Sequence, residues 1–509
     1  MLESGMTPSC SLPDSAGQEK RRRFSFGIVL IMLLAIGLRV WGLQVQSFTM
    51  DETTELGIAR TSIGQIILKK DGFPPLYHIL LRGWLQVFHS DEAARWLSVL
   101  FGGLSILTLW KMTSWLGDAR ARIWTAFLVA ISPFHIWYSQ ESRAYALYFL
   151  EAALALWFFF RAIETDRPRD WILYGLACLA GVYTHYCFPL LIIVNGLVLL
   201  IEKRTWNTLK YALLTHAGMG ILSLPILWLL RIDMGYPTIY PTPFNVAALG
   251  YTYFTFLAGY SIGPSMRELR VLSPSQAIVR FLPWVLVVGF GVLVLGREGL
   301  RGRWDRIRWR RLAIVALVPV VLCGFLLAML NVGFKVQYVL WASIPLFILL
   351  GTGLSKGIHR WPIRVSLMAL CLVFAVSLYN RHFVERYMTE DTRKLGAYLA
   401  SQPNREAPVL VTSYYMARPV RHDLGEGWVV HPLPSVKRRG EGLKRALKVL
   451  KDTVPDGSDF WLVYTRAFYG DPGGRLKDAL LKDGMIQWET GFAGIELYRG
   501  KSDKMIKTL

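Results

Sequence analysis

Apolar residues run in long blocks along this chain, beginning with "FSFGIVLIMLLAIGLRVWGLQV" at residues 24–45. A helix needs about 20 such residues to cross the hydrocarbon core of a bilayer. Blocks of roughly that length predict about eleven spans between residues 24 and 380. The pair within 171–201 is short and breaks at "THYCFP", where Pro189 and the polar cluster fit a turn. From residue 381 the pattern changes. "EDTRKLGAYLAS" and "GLKRALKVLKD" repeat at the helical period, while "APVLVTSYY" and "DFWLVYTRAFYG" read as strands. The expected fold class is mainly α: a polytopic membrane helical bundle over 24–380, with a small soluble α/β domain over 381–509.

The connection 46–90 is long and unlike the others. "DETTELGIARTSIGQIILKK" mixes polar and apolar residues at helical spacing, and "FPPLYHILLRGWLQVF" is amphipathic, broken by Arg82. Both are expected as helices lying on the membrane face. Treating the second as a span would invert every later loop.

Charge then orients the bundle. The formal net charge of +21 comes with basic residues gathered in alternate short connections. The positive-inside rule puts the tail 1–23, with Lys20–Arg23, in the cytoplasm, together with 117–122, 161–170, 202–210, 297–311 and 355–364. The connections 46–90, 138–145, 183–189, 231–280 and 331–338 face outward, and an odd number of spans puts the C-terminal domain on that same side. Topology accounts for the basic residues, so no nucleic-acid partner is called for. "EKRRRFSFGIVL" has the look of an export signal, but no small-residue cleavage site follows, so an uncleaved first span is expected. Cys10, Cys178, Cys187, Cys323 and Cys371 form no pairing pattern.

The chemistry gathers at the outer face. Asp51 and Glu52 follow the first span directly, with Glu55 one turn on; they suit either a capped helix start or a carboxylate that takes a proton from an acceptor hydroxyl. Outer-face cations are few: Arg39, Arg60, Lys69, Lys70, Arg82, Arg143 and Lys335. Arg39 lies within the outer part of a span, where a charge is costly unless partnered or snorkelling. Gln140, Glu141 and Arg143 form a polar knot between two apolar blocks, and His185, Tyr77 and His78 are further polar groups at that level. Cations of this kind can hold a lipid-linked phosphate and stabilise it as leaving group while a carboxylate activates the nucleophile. No Gly-rich nucleotide loop appears. No clustered His/Cys set has ligand spacing, so neither metal nor cofactor is expected.

"LRVWGLQVQSFTMDE", "FPPLYHILLRGWLQVF", "AARWLSVLFGGLSILTLWKMTSWLG", "ISPFHIWYSQESRAYALYFL" and "VYTHYCFPLL" occur in that order. Together with "VQYVLWASIPLFILLGTGL" they resemble the bacterial branch of the protein O-mannosyltransferase and aminoarabinose-transferase superfamily, C-type membrane glycosyltransferases that use polyprenyl-phosphate sugars. The resemblance runs from about residue 24 to 400 and implies inverting transfer on the outer face of the bacterial inner membrane. It implies Asp51 as general base beside Glu52, with Arg143 and Arg39 as phosphate-binding cations. Two positions depart from the family pattern. Gln337 stands before Tyr338 where the family often has Arg, leaving Lys335 as its replacement. Phe73 stands where aminoarabinose transferases carry Lys before Pro, which argues against an aminoarabinose donor.

The expected activity is transfer of a monosaccharide from a polyprenyl-phosphate donor to a hydroxyl acceptor at the membrane. A lipid-glycan flippase would instead show internal repeats and broken helices with mid-membrane polar residues. An oligosaccharide ligase would move a whole glycan from the same position.

Overall fold

The computed structural model describes residues 15–68, 73–116, 118–202, 205–233, 244–301, 306–436 and 441–502. Cys10, Lys69, Lys70 and part of the 1–23 tail lie outside them. Among the described residues six helices are long and apolar enough to cross a membrane: Ala93–Thr113, Tyr145–Thr165, Pro274–Leu300, Arg306–Met329, Val336–Gly357 and Trp361–Phe383. The bent pair Trp206–Leu222 and Leu224–Arg231 makes a seventh, and Phe26–Val40, Pro189–Ile201 and Val246–Ala258 are shorter apolar helices. The expected figure of about eleven included segments of that shorter kind. Val246–Ala258 is new: it is an apolar helix where the sequence pattern gave only a connection. The chain is a multi-pass membrane protein.

Close backbone approach holds the bundle together. A Cβ on Gly353 would run into the Leu295 carbonyl, and one on Gly351 into Thr125. These glycines let Ile344–Gly357 lie against Pro274–Leu300 and Ala119–Ile131, the small-residue packing that serves where lipid gives helices no hydrophobic drive to associate. Loops with the basic residues meet at one end. Arg311 forks onto Glu202 (3.0 and 2.9 Å) and reaches Glu164 (3.0 Å), Arg308 joins Glu164 at 3.3 Å, and Ser355 donates to Asp118 at 2.6 Å.

At the other end stands the C-terminal domain, a five-stranded sheet in the order β2-β1-β3-β5-β4. Its strands are β1 (Val409–Val411), β2 (Val430–Pro432), β3 (Asp459–Thr465), β4 (Ile486–Phe492) and β5 (Ile495–Lys501). β1 runs parallel to β2 and β3, and β5 antiparallel to β3 and β4. Side chains alternate across β3: Phe460, Leu462 and Tyr464 pack under the helices Glu441–Thr453 and Arg475–Lys482, while Trp461 and Val463 pack under Thr392–Ala400 and Ala417–Leu424. The domain is bolted to the first outer loop. Ser47 accepts from the Arg393 amide (3.0 Å) and Arg393 Nη1 donates to Gln44 O (2.6 Å), while Gln46 Nε2 donates to Arg381 O (2.8 Å) at the end of the last span.

Candidate active site

The helix Met50–Ala59 opens with a capping box: the Glu52 amide donates to Thr49 Oγ1 (3.1 Å) and the Thr49 amide to Glu52 Oε2 (3.0 Å). Consecutive helical residues point about 100° apart, so Asp51 and Glu52 face different surroundings. Glu52 turns inward and is 1% exposed. Its carboxylate accepts from Arg95 Nε (2.8 Å) and Nη2 (3.0 Å) and from the Ser142 amide (3.0 Å). Arg95 also donates to the Leu43, Gln46 and Ser47 carbonyls. Burial pushes the Glu52 carboxyl up, but Arg95 and the two amides outweigh it and hold it below its ordinary range. Every lone pair Glu52 offers is engaged in fixing the loop, which gives it an anchoring place rather than one open to a substrate. Arg95 was not among the residues picked out from the sequence.

Asp51 turns outward, its side chain 53% exposed, with Arg143 Nη2 at 3.8 Å. Arg143 lowers its pKa most; burial opposes this, and Lys335 and Arg466 lower it further. Arg143 is fixed from below. Its Nη1 donates to Glu55 at 2.8 Å, the other Glu55 oxygen meets His78 Nε2 at 2.5 Å, and its guanidinium lies 4.6 Å over the Phe73 ring. Burial disfavours the charge on Arg143, yet Asp51 and Glu55 together raise its pKa well above the usual value. Phe73 therefore lines the site as an aromatic face against that cation.

The ring system continues inward. His185, at the end of the helix Pro168–Thr184, stacks on Tyr148 (4.5 Å between centroids) and meets Phe73 edge-on at 5.3 Å and Tyr338 at 5.5 Å. Its Nδ1 accepts from the Cys187 amide at 3.0 Å. Gln337 lies between Tyr138 and Tyr145, each hydroxyl at 3.5 Å. Tyr77 is fully buried with its hydroxyl 3.4 Å from both Ser98 and Ser142. Lys335 immediately precedes the helical turn Val336–Ser343.

Three expected site residues, Arg39, Gln140 and Glu141, are held by other partners. Arg39 is 1% exposed, and donates to Ser139 Oγ (3.1 Å) and to the Ala35 (3.1 Å), Ala130 (2.9 Å) and Val129 (3.4 Å) carbonyls. These bonds tie the first span to the broken helix Ala119–Ile131/Pro133–Ser139. Gln140 Nε2 donates to the Leu38, Arg39 and Trp41 carbonyls, closing the end of the same span. Glu141 accepts from Trp137 Nε1 at 2.6 Å, and burial, then Glu52, push its pKa up to about 7. Among the described residues no group of three His, Cys, Asp or Glu could hold a metal ion.

Residues 73–229 match the family described as dolichyl-phosphate-mannose-protein mannosyltransferase. In its fold the chain is similar to the Archaeoglobus fulgidus oligosaccharyltransferase in complex with zinc and sulfate, with a TM-score of 0.53 at 12% identity, covering 94% of this chain and 73% of that one. The same organism's oligosaccharyltransferase AglB, bound to an inhibitory peptide and a dolichol-phosphate, gives 0.51 at 11%, covering 95% and 74%. ArnT from Cupriavidus metallidurans gives 0.48 at 14%, covering 93% and 97%. No curated protein matches the chain.

Proposed function

We propose, starting from a C-type membrane glycosyltransferase with a protein O-mannosyltransferase segment over residues 73–229, that this enzyme moves a sugar from a polyprenyl-phosphate donor to a hydroxyl acceptor with inversion. Reaction takes place at the non-cytoplasmic face, where the C-terminal domain also lies. Asp51 is the general base and Arg143 and Lys335 hold the donor phosphate. The observation that carries this reading is the half-exposed Asp51 carboxylate facing Arg143 at 3.8 Å.

The electrostatics support an order of events. With the cations unneutralised, Asp51 is ionised but a weak base. A phosphate bound at Arg143 and Lys335 offsets their field, which raises the proton affinity of Asp51 once the donor is in place. The acceptor hydroxyl then gives its proton to Asp51 as its oxygen attacks the anomeric carbon. The bond to the phosphate oxygen breaks, and the cations take up the charge of the departing lipid phosphate. Glu52 positions Asp51 through the capped helix start and Arg95. The dolichol-phosphate bound by the archaeal enzyme of like fold is a lipid of the class this chemistry needs.

Asp51→Asn in proteoliposomes supplied with a polyprenyl-phosphate monosaccharide should lower transfer at least about 100-fold, with insertion and thermal unfolding unchanged. Near-normal turnover removes Asp51 from the mechanism. Donors carrying one sugar against several, with transport followed alongside consumption, separate this reading from the ligase and the flippase.

A further inference from the structure

Two of the rings beside Arg143 also border a histidine. The Arg143 guanidinium is 4.6 Å from the centre of the Phe73 ring and 5.7 Å from that of Tyr145. The His185 imidazole lies 5.3 and 5.9 Å from the same two rings. It also stacks on Tyr148 at 4.5 Å and meets Tyr338 at 5.5 Å, three residues beyond Lys335 on one segment. His185 thus neighbours both elements that carry the proposed phosphate-binding cations.

Its hydrogen bonding fixes where the ring proton is. His185 Nδ1 accepts from the Cys187 amide at 3.0 Å. A ring nitrogen that accepts holds no hydrogen, so the imidazole proton is on Nε2. The accepting edge faces the turn of its own chain, and Nε2 is on the edge away from that turn. The residue is 3% exposed, yet Nε2 has no hydrogen-bond partner among the described residues. The hydroxyls of the adjoining tyrosines are directed elsewhere. Tyr148 donates to the Tyr338 carbonyl (2.7 Å) and accepts from Trp341 Nε1 (2.8 Å), while Tyr145 is 3.5 Å from Gln337 Nε2. Leaving a buried N–H without an acceptor is costly, so a donor in that state beside a binding site points to an acceptor that the ligand brings.

We propose that His185, in its neutral form, is a further phosphate-binding residue, giving its Nε2 hydrogen to an oxygen of the lipid phosphate that Arg143 and Lys335 hold. This rests on the polyprenyl-phosphate reading above. The free oxygens of a phosphodiester only accept, and a neutral donor beside two cations adds direction without adding charge. When the bond to the anomeric carbon breaks, its electron pair stays on the phosphate oxygen. The hydrogen bond from His185 strengthens as that charge grows.

The test uses the full chain in nanodiscs, titrated with undecaprenyl phosphate and, separately, with undecaprenol, following tryptophan fluorescence. His185→Phe keeps a ring to stack on Tyr148 and removes the donor. It should weaken binding of the phosphate about ten-fold and leave the alcohol unchanged. His185→Gln, whose amide nitrogen can take the place of Nε2, should recover part of that loss; equal losses in the two variants count against a donated hydrogen bond. In the unsubstituted chain labelled with 15N-histidine, the His185 Nε2–H resonance, identified by its absence from His185→Phe, should move with the phosphate and stay put with the alcohol. Equal phosphate affinity in wild type and His185→Phe, or a resonance that ignores the phosphate, overturns the proposal and leaves the donor reading standing. A parallel loss for both lipids also overturns it, since that reports a disturbed ring cluster. A wild type that does not prefer the phosphate to the alcohol defeats the donor reading itself, and this inference with it.

Discussion

Asp51 and Glu52 are neighbours with the same functional group, and the structure gives them opposite lives. Glu52 is enclosed by the cap, Arg95 and the Ser142 amide; Asp51 looks out at Arg143. Removing either partner of the enclosed pair leaves a buried charge uncompensated, at a cost of about 3–5 kcal/mol. Glu52→Gln and Arg95→Met should therefore lower the yield of folded protein and its unfolding temperature, whereas Asp51→Asn should not. Asp51 also predicts a pH profile. Its pKa is depressed, so the carboxylate persists above the lowered value and is lost only as pH falls through it. Lys335→Met removes one of the depressing charges, and the acid limb of kcat/KM should move to higher pH. The carboxylate pair was legible in the sequence because it follows a span directly. Which member turned outward was not legible from the residues themselves, since Arg95 lies 43 residues away in an otherwise apolar helix and only packing brings it back.

Among elements, the signals that rest on local hydrogen bonding were legible and those that rest on approach were not. Residues 51–70 read as one helix, but the described chain divides into Met50–Ala59 and Ile63–Leu68. The division follows from Ser62, whose hydroxyl accepts from the Gln65 amide while Gln65 Oε1 accepts from the Ser62 amide, a second capping box. The strand pair β4–β5 passed unnoticed because its two halves alternate weakly and turn on Gly494 at φ +66°. β1 and β3, with their runs of buried aliphatic and aromatic residues, were plain. The close glycine contacts within the bundle leave no mark in hydropathy at all. Gly353→Leu should force apart Ile344–Gly357 and Pro274–Leu300, with loss of folded protein in a fluorescence-detected size-exclusion profile, while Gly218→Leu, where a Cβ would meet nothing within 4 Å, should be tolerated.

For the whole molecule, the question is how a soluble domain stays on a membrane-embedded one. His422 is the hinge pin of that docking. Its Nδ1 lies 2.8 Å from Asp423 within the domain and its Nε2 3.1 Å from Asp91 of the bundle, with its ring edge-on to Phe48. Asp423 first, then Asp91, push its pKa up to about 9. A raised pKa means that the bridge contributes fully below the ordinary value of about 6.5 and fades as pH rises through about 9. Limited proteolysis at the 381–392 junction should accelerate over that interval, and His422→Gln should remove the pH dependence. The two-part plan of spans followed by a soluble domain was legible from hydropathy alone. The docking was not, because its partners are single polar residues scattered from Gln44 to His422.

The bonds around Glu52 also bear on how such a protein is made. One carboxylate closes on residues 49, 95 and 142, so the first outer loop is not fully tied down until the ribosome has delivered both later segments into the membrane. A nascent chain arrested before Ser142 would carry Asp51 on a loop that lacks the Ser142 tether. Supplying the missing part as a separate polypeptide is then the one route by which such a fragment could be rescued.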